Sequence, residues 1–259
     1  MQKGTVTILG SGTSQGVPVI ACDCNVCKSS STKDKRTRSS ILIATKDENY
    51  VIDSGPDFRQ QILRENVKSL KGILFTHEHK DHVAGLDDVR GFNYREKRKM
   101  DVYATAQVEK ALRREFHYVF DENCYPGVPK IEIRQIDLNP FQLDEKLTLI
   151  PIQVFHHLLP VLGFRFGDFT YITDAKTIAN EEKSKIIGTK TLIINALHKF
   201  NHVSHFNLEE ALQFIEETKP EKAYLTHISH LFGKHKKIEK ELPKNVFLAY
   251  DGLKLPFEY

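Results

Sequence analysis

Residues 76–82 of the chain, Thr-His-Glu-His-Lys-Asp-His, hold four side chains that can bind a metal ion. They directly follow residues 72–75, Gly-Ile-Leu-Phe, a short apolar run of the kind that forms a buried strand. Alternate residues of an extended chain share a face, so a strand that ends here presents His77 and His79 to the same side. Imidazole and carboxylate ligands together suit zinc, manganese or iron(II). A polar loop with chance histidines offers no packing reason for this spacing, and the pattern therefore predicts a metal centre.

The rest of the chain alternates short apolar runs with amphipathic stretches, which predicts a layered α/β (α+β) architecture rather than an all-helical one. The predicted strands are residues 5–9, 40–44, 50–53, 72–75, 102–104, 147–155, 162–166, 169–173, 191–195, 222–226 and 246–249. The predicted helices are residues 56–65, 106–118, 208–218 and 234–242. The third helix has the clearest boundaries, because Asn207 is a preferred N-cap and Pro220 ends the helix.

Composition favours one globular domain over residues 1–259. The chain carries 37 Lys+Arg and 34 Asp+Glu, a net charge of +3, with 40% hydrophobic and 27% charged residues, a balance that excludes disorder, collagen and a coiled coil. The sequence has no internal repeat, linker or compositional break. No window approaches the ~20 consecutive apolar residues of a membrane helix, and the first residues lack the apolar core of a signal peptide. We therefore expect a cytoplasmic protein with no membrane partner.

Together with Asp81 and His82, the two histidines match the H-x-H-x-D-H motif of the metallo-β-lactamase fold superfamily without a departure. The chain resembles that superfamily over its whole length. The resemblance implies a four-layer αββα sandwich, with two mixed β-sheets flanked by helices. It also implies three further metal ligands, each of which follows a predicted strand: His156, Asp174 and His227.

For two of these ligands, His156 and Asp174, the sequence alone also allows another interpretation. His156 and His157 are neighbours that point to opposite faces of a strand, so the pattern alone does not separate them. His156 is favoured because it lies seven residues before Gly163, as in the superfamily, which leaves His157 as a supporting or surface residue. Asp174 taken alone is an ordinary turn residue that caps the next segment, and its place in the set of seven is what makes it a ligand.

The resemblance implies a centre with two divalent metal ions, zinc or manganese. The first ion would be held by His77, His79, His156 and Asp174, and the second by Asp81, His82, His227 and the same Asp174. Two such ions share a water and lower its pKa, and the hydroxide that bridges them is the expected nucleophile. Asp81 is thus expected to serve as both a ligand and a catalytic residue.

Three further segments narrow the resemblance. Residues 9–18 (Leu-Gly-Ser-Gly-Thr-Ser-Gln-Gly-Val-Pro), a group of closely spaced cysteines and residues 249–253 (Ala-Tyr-Asp-Gly-Leu) are similar to the phosphoribosyl 1,2-cyclic phosphate phosphodiesterase branch of the superfamily. This implies a phosphoric diester hydrolase whose substrate is a small cyclic phosphate such as phosphoribosyl 1,2-cyclic phosphate. A homodimer is common among such relatives, although no residue pattern here establishes one.

Cys22, Cys24 and Cys27 place three thiols within reach of one ion, and a structural zinc site needs a fourth ligand. From the sequence, Cys124 and several histidines are candidates. In the branch that the chain resembles, a histidine three residues after the last catalytic ligand completes a zinc site of three cysteines and one histidine, which here is His230. The alternative is a reduced loop, near residues 22–27, that holds no metal.

Residues 197–206 contain three more histidines. His205 stands just before the predicted helix start, at the position where the branch places a histidine that contacts the substrate phosphate or donates a proton. His202 is the second candidate for this role, and His198 is expected to be an ordinary residue. The glycine-rich residues 10–16 lack the Lys-Ser/Thr ending of a phosphate-binding loop, so we expect them to form a tight turn at the rim of the site.

Three other functions share parts of this pattern. A transfer RNA 3′-end endonuclease has the same metal motifs, but it carries a long arm between the third histidine and the bridging aspartate, where this chain has only 17 residues. The short connection and the net charge of +3 disfavour a nucleic-acid partner. A carboxylic ester, thioester or lactam hydrolase would use the same ligands. A metal-binding scaffold without activity would be expected to lack at least one of the seven ligands, and all seven are present.

Overall fold

A computed structural model describes residues 1–259 as two β-sheets that pack face to face, with helices on their outer surfaces. The strands are β1 (Lys3–Gly10), β2 (Ser40–Ala44), β3 (Asn49–Ile52), β4 (Gly72–Leu74), β5 (Met100–Ala104), β6 (Ile131–Gln135), β7 (Phe141–Gln142), β8 (Thr148–His156), β9 (Leu159–Phe166), β10 (Phe169–Tyr171), β11 (Thr177–Ile178), β12 (Thr191–Asn195), β13 (Lys222–Thr226), β14 (Val246–Leu248) and β15 (Lys254–Glu258). The α-helices are α1 (Phe58–Arg64), α2 (Lys80–Val83), α3 (Arg90–Glu96), α4 (Ala106–Glu115), α5 (His117–Phe120), α6 (Asn180–Ser184), α7 (Leu208–Thr218) and α8 (His235–Ile238).

Both sheets are mixed. The first has the strand order β15-β1-β2-β3-β4-β5-β6, antiparallel from β15 to β3 and parallel from β3 to β6. The second has the order β11-β8-β9-β10-β12-β13-β14, with β7 paired to β8, and its strands are parallel from β10 to β14. This arrangement confirms the expected four-layer αββα sandwich with two mixed sheets flanked by helices.

Three apolar clusters account for the layers. One cluster of 21 buried residues fills the space between the two sheets, and two others, of 20 and 18 residues, lie between each sheet and its helices. A strand of the parallel part is therefore buried on both faces. In β4, Leu74 belongs to the cluster between the sheets while Ile73 belongs to the cluster under the helices. This double burial explains why residues 72–75 are continuously apolar rather than alternating.

Helix α7 matches its predicted boundaries because both of its ends are encoded locally. The side chain of Asn207 accepts a hydrogen bond from the backbone N–H of Glu210, whose carboxylate accepts one from the backbone N–H of Asn207, each at 2.9 Å. This capping box satisfies two of the amide groups that a helix start leaves free. The helix ends at Lys219, whose φ of 48° is left-handed. Its inner face buries Phe214 and Ile215 against the second sheet.

The fold brings several strand ends and one hairpin to the same edge of the sandwich. Residues that follow β3, β4, β10 and β13, together with the tip of the β8–β9 hairpin, meet there. The side chains they deliver are Asp53, His77, Asp174, His227 and His156. None of the eight α-helices combines the length and the apolar content that a membrane crossing requires.

Candidate metal centre

The histidine-rich motif leaves β4 as an extended segment and then enters a helix. His79 is the N-cap of α2, with φ −63° and ψ 147°, and the backbone N–H of His82 donates to the His79 carbonyl at 2.9 Å. The centroid of the His77 ring lies 4.6 Å from that of His79 and 4.3 Å from that of His82. His77 and His82 are fully buried, whereas His79 is exposed at the edge of the cluster. The turn from strand to helix thus directs all three rings to one point.

Asp174 stands at the middle of the cluster. Its Oδ2 is 3.3 Å from Nε2 of His82 and 3.3 Å from Nδ1 of His227, and its Oδ1 is 3.8 Å from Nδ1 of His205. Oδ2 of Asp81 lies 3.2 Å from the same Nε2 of His82. The ligand atoms of Asp81, His82, Asp174 and His227 all lie within 4.8 Å of one another. These four residues are therefore placed to hold one ion, as the sequence indicates for the second metal.

The other side of Asp174 faces the remaining histidines. The His156 ring lies 5.1 Å from that of His79, 6.1 Å from that of His77 and 4.3 Å from that of His205, centroid to centroid. The ligand atoms of His156, Asp174 and His205 lie within 4.8 Å of one another. His157 is exposed at the hairpin tip with a φ of 57°. The structure thus brings His156, and not His157, to the cluster.

Two buried side chains outside the ligand set orient the imidazoles. Nδ1–H of His82 donates to Oδ2 of Asp53 at 2.7 Å. The Thr76 hydroxyl donates to the same Asp53 oxygen at 2.9 Å and lies 2.9 Å from Nδ1 of His77. With Nδ1 occupied in this way, the Nε2 lone pairs of both rings are directed at the cluster, as outer partners do in metal sites. Asp53 is not among the predicted site residues, although a carboxylate directly after a buried strand is a usable signal.

Unpartnered atoms test whether the cluster fits a metal. Nε2 of His77, Nε2 of His82 and Nδ1 of His205 are buried and have no hydrogen-bond partner. A buried polar atom without a partner costs about 1–3 kcal/mol, so three in one cluster would be a large penalty in a protein that binds nothing there. Metal coordination would satisfy Nε2 of His77 and Nε2 of His82, and Nδ1 of His205 is left for a group bound beside the ions. The donor set of imidazoles and carboxylates therefore fits divalent metal ions.

Burial also favours the neutral, metal-binding form of three imidazoles in the cluster. It lowers the pKa of His77 well below the ordinary histidine value, lowers that of His227, and lowers the pKa of His205 to about 2. Neutral rings keep a free lone pair for an ion. At His82 the neighbouring carboxylates outweigh burial and raise the pKa well above the ordinary value. Burial raises the pKa of the Asp174 carboxyl, but the interactions with His227 and His82 outweigh burial and hold that pKa well below its usual range. The carboxylate at the centre is therefore ionised.

A second group of ligands lies apart from the first. Nδ1 of His230 is 3.2 Å from Sγ of Cys22, 3.5 Å from Sγ of Cys24 and 3.6 Å from Sγ of Cys27, and all four ligand atoms lie within 4.8 Å of one another. A hydrogen bond from the Cys27 backbone N–H is the largest contribution that lowers the pKa of the Cys24 thiol to about 6. Three sulfurs and one imidazole nitrogen are the donor set of a closed zinc site. Cys124 is exposed and free and takes no part.

The remaining histidines of residues 197–206 and the glycine-rich residues 10–16 lie around the first cluster. His202 is half-buried, with its ring centroid 5.2 Å from that of His205. His198 is buried, and its Nδ1 lies 3.0 Å from the Phe200 carbonyl oxygen. Residues 10–16 form a turn that Gly16, with a φ of 65°, closes by donating to the Thr13 carbonyl at 2.8 Å. Oγ1 of Thr13 lies 3.3 Å from Nε2 of His227, so the glycine-rich turn contacts the cluster directly.

The two-sheet sandwich carries a histidine–aspartate cluster that fits divalent metal ions at one edge. The model of the β-lactamase superfamily domain matches residues 48–228, and the chain belongs to this superfamily, as the motif predicts. A solved structure described as a new diphosphatase from the PhnP family is similar to this chain, with a TM-score of 0.92 and 36% identity, covering 98% of this chain and 97% of that one.

Two further proteins are similar to this chain. Zinc-bound PqqB from Methylobacterium extorquens has a TM-score of 0.79 at 20% identity and covers 97% of this chain and 99% of that one, which shows the shared fold. A protein named octanoyltransferase from Porphyromonas gingivalis (strain ATCC BAA-308 / W83) is 41% identical over 249 residues, 95% of this chain and 50% of that protein. The chain thus spans about half the length of this relative.

Proposed function

We propose that the protein is a hydrolase of small phosphoric esters that uses two divalent metal ions, and that its substrate is a cyclic phosphodiester such as phosphoribosyl 1,2-cyclic phosphate. The observation that supports the proposal is the grouping of Asp81, His82, Asp174 and His227 within 4.8 Å of one another. The rings of His77, His79 and His156 pack beside this group. The likeness to a PhnP-family diphosphatase over nearly the whole of both chains supports phosphoric ester chemistry.

The ligands divide into two sets that share Asp174. His77, His79 and His156 would hold the first ion, and Asp81, His82 and His227 the second. Divalent ions in such a site act as Lewis acids and lower the pKa of a bound water, which supplies a nucleophile near neutral pH. A separate zinc would be held by Cys22, Cys24, Cys27 and His230.

The protein's own residues supply orientation and hydrogen bonds. Asp53 and Thr76 fix the tautomer of His82 and His77. His205, whose buried Nδ1 lacks a partner, lies between His156 and His227, with ring centroids 4.3 and 4.8 Å away. This position suits a hydrogen bond from the neutral ring to a substrate phosphate oxygen. Delivery of a proton to the leaving ester oxygen, a poor leaving group unless protonated, would require the bound phosphate anion to raise the low pKa of this ring.

Two alternatives have specific observations in their favour. Diphosphate hydrolysis is the chemistry that the description of the 36% identical structure states for that protein. Acyl chemistry is suggested by the name of the octanoyltransferase, of which this chain matches half. A transfer RNA endonuclease has less support, since the 17 residues between His156 and Asp174 consist mainly of β9 and β10 and leave no substrate-binding arm.

The test is a panel of substrates offered to the metal-loaded protein. Bis(p-nitrophenyl) phosphate and a set of cyclic phosphates probe diester hydrolysis, a diphosphate diester probes the second chemistry, and p-nitrophenyl acetate, p-nitrophenyl octanoate and a β-lactam probe acyl transfer to water. We expect turnover of the phosphoric esters to dominate. Cleavage of carboxylic esters alone would overturn the phosphodiesterase proposal, and no turnover at all would favour a metal-binding scaffold.

A further inference from the structure

A cavity of about 590 Å³ lies in the cleft between the two sheets, beside the metal cluster. One wall comes from the chain after β4, β5 and β6, including Thr76, Glu78 and Gln107, and the facing wall comes from the β8–β9 hairpin, including Leu162. This volume falls within the range of small-molecule sites. Ligands of sheets with parallel strands bind outside the carboxyl ends of those strands, where this cavity lies.

The cavity and the metal cluster share one segment of chain. Thr76 and Glu78 line the cavity, and each is a direct neighbour of His77, the first metal ligand. The backbone N–H of Leu162, also a lining residue, donates to the Thr76 carbonyl at 3.0 Å and fixes the two walls together. A ligand in the cavity would therefore contact the segment of chain that carries His77.

The lining determines which chemical groups the cavity accepts. Its 16 residues include two carboxylates and four amide side chains but no Lys, Arg or His, so the lining offers no positive charge to a phosphate. Oε1 of Glu78 accepts from Nε2 of Gln107 at 2.9 Å, while Oε2 is buried and has no hydrogen-bond partner. A ligand that donates a hydrogen bond would satisfy that oxygen. Leu138 and Phe141 add apolar surface for a ring.

We propose that this cavity binds the uncharged nucleoside of a phosphoric ester whose phosphate lies at the metal centre, and so selects the substrate by its organic part. The hydroxyl and base N–H donors of a nucleoside match the carboxylates and amides of the lining, and its ring matches the apolar surface. The inference rests on the proposed function for the phosphoric ester at the ions, and it names a nucleoside as the organic part in place of the phosphoribosyl group. The cavity itself is tested by binding alone.

The test uses a variant that narrows the cavity, Leu138→Trp, and a matched control, Ile187→Trp. Leu138 is 41% exposed in the lining, and Ile187 is 64% exposed and lies outside it. We expect wild type and control to bind thymidine in a calorimetric titration, and Leu138→Trp to bind it at least about tenfold more weakly. For the metal-loaded enzymes, kcat/KM for thymidine 5′-(p-nitrophenyl) phosphate relative to that for p-nitrophenyl ethyl phosphate should fall about tenfold in the same variant, the equivalent of ~1.4 kcal/mol.

The outcomes separate the cavity from the proposed function. Equal thymidine affinity in wild type and Leu138→Trp, or equal loss on both esters, would overturn the cavity assignment. A failure to hydrolyse either ester, with thymidine binding still sensitive to Leu138→Trp, would reject the proposed function and retain the cavity. If methyl β-D-ribofuranoside bound as tightly as thymidine, the cavity would recognise only the sugar, and selection by the base would be contradicted. Circular dichroism checks that both variants fold.

Discussion

Nδ1 of His82 lies 2.7 Å from Oδ2 of Asp53, and both side chains are completely buried. Asp53 is not one of the seven ligands, but its carboxylate determines which nitrogen of His82 carries the proton and which is free for an ion. Burial raises the pKa of this carboxyl, and the contacts with His82 and Thr76 act against that rise. Through this hydrogen bond, a residue at the end of β3 orients a predicted metal ligand in the segment after β4.

We predict that Asp53→Asn weakens metal binding. The amide is a poorer acceptor for the His82 N–H, so Nε2 is less well oriented, and loss of such an outer partner reduces metal affinity about 10- to 100-fold. The measurement is the concentration of free metal that restores half of the activity. Asp47→Asn, a change of the same kind on the exposed β2–β3 turn, should leave that concentration unchanged. Indistinguishable metal affinities for the two variants would contradict the role given to Asp53.

His79→Ala should remove most activity with little loss of folding. His79 is exposed at the rim of the cluster, so the change leaves no buried cavity, but it deletes a metal ligand. The loss in kcat/KM should exceed the ~100-fold cost of an outer partner. His157→Ala, which changes an exposed histidine outside the cluster, is the control and should retain activity. If His157→Ala were the inactive variant, the assignment of His156 as the ligand would be wrong.

Cys24→Ala should lower thermal stability as well as metal content. The cysteine group and His230 join the loop after β1 to the loop after β13, and an ion bound there stabilises the folded state by ~2.7 kcal/mol at a free concentration of 100 Kd. For a domain of this size that corresponds to a fall in Tm of roughly 5–10 °C. Cys124→Ala, which changes an exposed thiol, is the control. Equal Tm values for wild type and Cys24→Ala, with zinc present, would argue against a structural zinc.

Asn207→Ala should destabilise the protein through helix α7. The substitution removes the side-chain acceptor of the capping box, which costs ~1 kcal/mol and lowers Tm by about 2–4 °C. Because His205 is two residues away, the same variant tests whether the cap also positions that ring. A fall in kcat that persists well below Tm would indicate positioning, whereas unchanged Tm would show that the cap contributes nothing. Asn123→Ala, in an exposed turn, is the reference.

The sequence predicted those elements whose boundaries are determined by neighbouring residues. Helix α7 has its cap, its apolar face and its end within residues 207–220, and its boundaries follow from them. The predicted helix 106–118 fails at Phe116, where the chain breaks into α4 and α5, and the predicted helix 234–242 is only α8. Strand β15 was not predicted, because Pro256 argues against a strand unless it lies at a sheet edge, and only the assembled sheet shows that it does.

The same distinction applies to the site. The motif after β4 is contiguous, so its chemistry is visible in seven residues. Asp53 precedes His82 by 29 residues, at the end of the predicted strand 50–53, and only the parallel pairing of β3 with β4 brings the two together. The contact of Cys22 with His230 spans 208 residues and was expected from a resemblance rather than from any local pattern.

Asp174 and His227 both have a left-handed backbone, with φ of 57° and 56°. Side chains branched at Cβ are strongly disfavoured in this conformation, and among common replacements asparagine and glycine adopt it most readily. The left-handed backbone at these two residues thus fixes part of the geometry of the cluster, independently of the charge on the side chains. A protein engineer who wishes to give this scaffold another metal or another reaction can exchange aspartate for asparagine at position 174 and keep the shape of the cradle, whereas valine or isoleucine there would reshape the loop itself.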